Sequence, residues 1–192
     1  IRGENINNPI ILLLHGGPGN AEMPLMRMAT EKLISSYTIV IWDQRGSGKS
    51  YSLLKDKKSV TKENIEADCI ELIEYLCNRF NKNKIYLIGH SWGTIIGIDT
   101  ILKKPERIAG YIGIGQIVNV KSQEEISYDY TLKKAIEKNN RSDIKKLEKI
   151  GRPVNGCYKN GVKDLIEERM LLLKYGGSLY GKTSYSEFIS IF

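Results

Sequence analysis

The first two-thirds of the chain alternates short continuous apolar runs with longer stretches of helical spacing. Ile10-Ile11-Leu12-Leu13-Leu14 is unbroken, as a strand buried on both faces requires, and it ends at His15-Gly16-Gly17-Pro18-Gly19. Residues 23–34 read as a helix and residues 37–42 as the next strand, followed by a polar, glycine-bearing loop over 43–52. The clearest helix is 61–80, where Ile65, Cys69, Leu72, Ile73, Leu76 and Phe80 keep the spacing of one face. A strand over 84–88, a helix over 94–103 stopped by Pro105, and a short strand over 111–114 complete the pattern. Strands alternating with helices predict a parallel sheet with right-handed crossovers. Such sheets bind ligands at the carboxyl ends of their strands, where the Gly-rich turns of this sequence fall.

After about Gln116 the pattern changes. Residues 122–192 are Lys- and Glu-rich and helical in spacing, with segments such as 142–150 and 162–175 reading as short amphipathic helices between Gly-Arg-Pro and Gly-Gly breaks. The expected division is an α/β core over 1–120 and a helical insertion beginning at 121.

Composition narrows the field. With 192 residues, the chain holds one sizeable domain or a core plus part of an insertion. The net charge of +7 arises from 29 basic against 22 acidic residues, with much of the excess in Lys-rich stretches such as 55–58 and Lys145-Lys146, which lack interleaved aromatics and form no single stripe. A solvated surface is expected there, and nucleic-acid binding is not. No apolar run has the length of a bilayer span. Cys69, Cys77 and Cys157 show neither metal-ligand spacing nor a paired framework, so reduced thiols and a cytoplasmic location are expected.

The chemistry centres on Gly89-His90-Ser91-Trp92-Gly93, directly after the apolar strand over 84–88. A G-x-S-x-G turn from strand to helix is a nucleophile elbow: small residues on either side let the chain turn sharply enough to expose the serine. Ser91 is the candidate nucleophile, needing a base to remove its proton. The Trp92 N–H, at the start of the following helix, is one candidate oxyanion donor. A second is expected from the Gly-rich loop after residues 10–14, where absent side chains let backbone amides approach a substrate. Gly16 is the candidate substrate-binding position in that loop. Gly46-Ser47-Gly48-Lys49-Ser50 imitates the end of a phosphate-binding loop, but that pattern needs glycine where Asp43 stands.

Three motifs thus stand in order: His15-Gly16-Gly17-Pro18-Gly19, Trp42-Asp43-Gln44-Arg45-Gly46-Ser47-Gly48 and Gly89-His90-Ser91-Trp92-Gly93. Together they resemble the proline iminopeptidase branch of the α/β-hydrolases, over about residues 10 to 115. The resemblance implies an α/β fold, a parallel-sheet core with an inserted helical cap. It maps the second oxyanion donor to Gly17 and gives Asp43 and Arg45 a structural role, bracing the loops around the site. It also implies an acyl-enzyme mechanism with no metal and no organic cofactor. The substrate implied is a short peptide with a free N-terminus. The alternatives are an esterase or amidase on small acyl compounds, or a non-catalytic ligand-binding relative.

Neither histidine suits the role of base. His15 precedes the serine, whereas this fold supplies serine, acid and histidine in that order. His90 adjoins Ser91 in a tight turn and should point away; both are expected to be satisfied by backbone partners. Asp99, Asp143 and Asp164 fall in helical or loop contexts rather than at the end of a strand. The resembled family carries its acid and histidine beyond the cap, so the chain is expected to be C-terminally incomplete. The cap acids Glu124, Glu125, Glu167 and Glu168 are each expected on a solvated helix face.

Overall fold

The computed structural model describes residues 1–179 and 181–184. These divide into two units, residues 1–117 and residues 118 onward. In the first unit, four parallel strands stand in the order β2-β1-β3-β4: β1 (Ile10–Leu14), β2 (Thr38–Trp42), β3 (Ile85–His90) and β4 (Ile108–Ile114). Parallel pairing follows from the apolar runs, which suit strands covered on both faces. Ile10, Leu12 and Leu14 of β1 pack against Ile65, Cys69, Ile73 and Leu76 of α2 (Lys62–Phe80) and against Ile96 of α3 (Trp92–Lys103). Ile11 and Leu13 point the other way, with Ile39, toward Met26 of α1 (Met23–Ala29). Period-two alternation on one strand thus feeds two hydrophobic layers.

The helix α2 begins where Thr61 accepts a hydrogen bond from the Asn64 N–H, and it ends at Asn81 in the left-handed region. Some expected boundaries move. The helix expected over 23–34 is broken: α1 stops at Ala29 because the Thr30 hydroxyl donates to the Met26 carbonyl, and only a single 3₁₀ turn, Glu31–Leu33, follows. The last strand starts earlier, at Ile108, and α3 starts at Trp92, directly after Ser91.

The second unit contains α4 (Val120–Glu137), α5 (Arg141–Ile150) and α6 (Val162–Lys174) around Tyr128, Ala135, Leu147, Ile150, Tyr158, Leu171 and Tyr175. The short helices expected over 142–150 and 162–175 are α5 and α6, and before them stands a helix of 18 residues, α4, for which no bounds were expected. A correction concerns the acids of this unit. Glu124 and Glu168 are buried, not solvated, because the Arg169 guanidinium donates to both carboxylates and the Thr131 hydroxyl donates to Glu168. Burial raises the Glu168 pKa against the pull of Arg169. Glu167 is exposed, as expected. Glu125 is largely covered and pairs with Arg152.

No helix among the described residues is long and apolar enough to cross a membrane. Cys69 and Cys77 are buried free thiols and Cys157 an exposed one; burial pushes the Cys69 thiol up to about 12.

Candidate active site

Register brings the three motifs to one edge of the sheet. Leu14 of β1 lies level with Trp42 of β2 and with Gly89 of β3, so the loops after all three strands leave at the same height. The chain runs from β1 to β2 on one side, then crosses back to β3 on the other. That reversal between β1 and β3 opens the crevice where ligands of open α/β sheets bind. The loop His15–Gly19 borders it on one side and the elbow on the other.

Ser91 joins β3 to α3 with φ 50° and ψ −117°, a conformation an L-residue adopts only under constraint. Such strain costs on the order of 1–3 kcal/mol and persists only where the surroundings enforce it. Here the Ser91 N–H donates to the Ile114 carbonyl of β4 at 2.8 Å, and the Thr94 hydroxyl donates to the Ser91 carbonyl at 2.6 Å. Small neighbours permit the turn. A Cβ on Gly93 would strike the Leu14 carbonyl and stand 2.8 Å from the His15 carbonyl oxygen; one on Gly89 would stand 2.8 Å from the Gly93 carbonyl oxygen. The helix start is thereby packed directly onto the end of β1.

Gly16 flanks the serine: a Cβ there would lie 3.2 Å from Ser91 Cβ. Gly17, next along, is exposed with φ +119°, open to glycine and hostile to other residues, and is followed by a cis Gly17–Pro18 peptide. Trp92 opens α3, so its N–H has no intrahelical acceptor and the helix dipole places partial positive charge there. Ser91, Gly16 and Trp92 thus stand together, with Gly17 adjoining in the loop.

Asp43 and Arg45 stand apart from this group. Asp43 Oδ2 accepts from the Lys49 N–H, and its carbonyl accepts from the Ser50 hydroxyl, folding the loop after β2 on itself. Arg45 donates from Nε and Nη2 to Asp68 of α2, a bidentate pair that raises the arginine pKa. A cleft of about 430 Å³ lies between this loop and α2, lined by Trp42, Asp43, Arg45, Leu54, Asp68 and Tyr75 among others. None of its lining residues belongs to the elbow or to the loop after β1, so this cleft is not the crevice at Ser91.

The histidines behave differently from each other. His15 Nδ1–H donates to the Gly16 carbonyl, and its Nε2 accepts from the Gln44 N–H beside Ser47 Oγ, so backbone groups satisfy it as expected. His90 does not follow the expectation. Its partner is a side chain: Nδ1–H donates to Glu22 Oε1 at 2.7 Å. The hydrogen bond to Glu22 raises the His90 pKa, with burial opposing it. Neither histidine hydrogen-bonds to Ser91. Glu22 went unrecognised in the sequence because a lone glutamate beside a Gly-rich loop reads as a solvated charge. Among the described residues, no group of three or more His, Cys, Asp or Glu side chains is placed to hold a metal ion.

A parallel sheet whose strained serine sits between a Gly-rich loop and a helix N-terminus has the architecture of an α/β-hydrolase. Residues 9–144 match the α/β-hydrolase fold family, and the chain belongs to it. Its relatives lie in the proline iminopeptidase-like branch. A probable aminopeptidase, YbaC of Bacillus subtilis (strain 168), is 35% identical over 178 residues, covering 92% of this chain and 55% of the relative. A proline iminopeptidase of Saccharolobus solfataricus is 29% identical, covering 91% of this chain and 53% of the relative. Among solved structures, a proline iminopeptidase-related protein from Thermus thermophilus matches with a TM-score of 0.56 and 22% identity, over 78% of this chain and 51% of that one, a likeness of fold. The chain spans about half the length of the curated relatives it matches.

Proposed function

We propose that the protein is a serine hydrolase working through an acyl-enzyme, an aminopeptidase of proline iminopeptidase type that releases N-terminal residues from short peptides. The observation that carries this reading is Ser91, held at φ 50° between β3 and α3 with Gly16 against its side chain. A merely structural serine at this position would relieve its strain by becoming glycine.

In the proposed reaction Ser91 Oγ gives its proton to a general base and forms a bond to the substrate carbonyl carbon. The carbonyl oxygen becomes an oxyanion, held by the N–H groups of Trp92 and Gly17. Removing one such donor costs about 3 kcal/mol of transition-state stabilisation. The amine then leaves with a proton returned by the base, and water hydrolyses the acyl-enzyme. The base is a histidine, oriented by an acid, that lies outside these 192 residues, since His15 and His90 are otherwise engaged. The aminopeptidase names of relatives matching 91–92% of this chain support the preference for a free N-terminus. On this reading Asp43 and Arg45 serve the site as bracing for its loops.

The test is hydrolysis by the full-length protein of proline p-nitroanilide and its N-acetylated form. Free-amine substrate should be cleaved and the acetylated one ignored, because acetylation removes the positive charge that the site recognises. Comparable rates on both would overturn the aminopeptidase reading, and dependence on acyl-chain length instead would mark an esterase or amidase. No cleavage of either class, with Ser91 unreactive, would mark a binding protein.

A further inference from the structure

The hydrolase reading places its two oxyanion donors on different elements. Gly17 lies in the loop after β1 and Trp92 begins α3, yet the donors act only if they converge on one oxygen. We propose that Glu22 and His90 are positioning residues that pin this loop to the nucleophile elbow and so set the spacing of the oxyanion hole. The inference rests on the hydrolase reading.

Four observations carry it. Among the described residues, the Glu22–His90 contact is a side-chain hydrogen bond between the segments 15–22 and 89–93, the two that supply the donors. It lies beside the nucleophile: a Cβ on Gly16 would stand 3.1 Å from Glu22 Oε1, 3.3 Å from His90 Nδ1 and 3.2 Å from Ser91 Cβ. The Glu22 backbone is fixed as well, since its carbonyl accepts the Met26 N–H at the start of α1. Finally, the carboxylate is over nine-tenths buried, and its Oε2 has no partner. An unsatisfied buried carboxylate oxygen is a cost that a role in stability alone does not require.

The pin is charge-dependent. A buried carboxylate without a cation is unfavourable, so Glu22 favours the imidazolium form of His90. Glu22 is the charged group that acts on His90, while Gly16 in the loop, Ser91 beside it and Ile114, its register partner on β4, bring no charge. His15 faces Gly16, Gln44 and Ser47 instead. Because the His90 pKa is raised, the charge-assisted form of the pin is fully present below the ordinary histidine value of about 6.5 and weakens to a neutral Nδ1–H hydrogen bond as pH rises through the higher folded value.

The experiment uses the full-length protein and a fluorophosphonate probe, with the labelling rate at Ser91 followed across the neutral and mildly alkaline range. Wild type should label more slowly at alkaline pH. Glu22→Gln and His90→Ala should each slow labelling by on the order of 10- to 100-fold at neutral pH. The double variant should be no slower than the worse single one, because both remove one device. His90→Asn places an amide nitrogen where Nδ1 stands but cannot titrate. It should recover part of the rate, to the level wild type reaches at alkaline pH, and lack the alkaline decline, which also decides the matter if His90→Ala does not fold. Independently of activity, the NMR titration of the His90 imidazole should fall toward the ordinary value in Glu22→Gln. Labelling unchanged in these variants, multiplicative losses in the double, or a His90 titration indifferent to Glu22 would overturn the pin while leaving the hydrolase reading intact. A wild-type protein unlabelled at Ser91 would overturn that reading, and the pin with it.

Discussion

At the scale of single residues, the site depends on what is absent as much as on what is present. Gly93 lets the first turn of α3 sit on the carbonyls of Leu14 and His15, which are backbone and cannot step aside. Gly93→Ala should therefore destabilise the fold by about 1–3 kcal/mol through overpacking, read as a lower urea midpoint, and should displace Ser91. A midpoint equal to wild type would show that the elbow is looser than this packing implies. Ser91, Gly16, Gly17 and Trp92 are legible in the sequence because a turn this tight admits few residue types, and those types form a motif. Glu22 and His90 are not legible. Their pairing joins residues 68 apart in sequence, and nothing in either local pattern requires the other.

At the scale of elements, the strands β1 and β3 and the long helix α2 are legible because apolar residues make up most of their buried positions. The helix α4 is not, and the reason is physical. Its buried positions, Glu124, Tyr128, Thr131 and Ala135, keep helical spacing, but two of the four are polar and are satisfied by Arg169 and Glu168. Meanwhile Ile126 and Ile136 are exposed, so apolar spacing points away from the true face. Polar burial recurs between α5 and α6. Asp143 is 2% exposed and accepts from Lys174 Nζ, the Tyr175 hydroxyl and Asn140 Nδ2. Burial works against its charge, yet Lys174 and Tyr175 hold its pKa below the usual carboxylate range. A depressed pKa gives stability that is present above the unfolded value of about 3.9 and is lost as pH falls through the folded one. Asp143→Asn should cost about 1–3 kcal/mol near neutral pH, with the difference from wild type shrinking in acid. A difference that persists unchanged below the folded pKa would contradict this role for the charge.

At the scale of the whole molecule, the proposed nucleophile and the proposed oxyanion donors meet on a sheet whose strand order opens a crevice between them. That order follows from pairing among distant strands, yet the alternation of strand and helix signals already implied a parallel sheet. The general base is a different matter. Both histidines are committed elsewhere, and the chain spans about half the length of its curated relatives, so hydrolysis is a property expected of the full-length protein. The central claim is that Ser91 is an activated nucleophile. Its most direct test is treatment of the full-length protein and its Ser91→Ala variant with a fluorophosphonate probe, followed by peptide mapping of the adduct. The account predicts a single covalent adduct on Ser91 that disappears in the variant; an adduct that survives Ser91→Ala, or a wild type that never forms one, would contradict it.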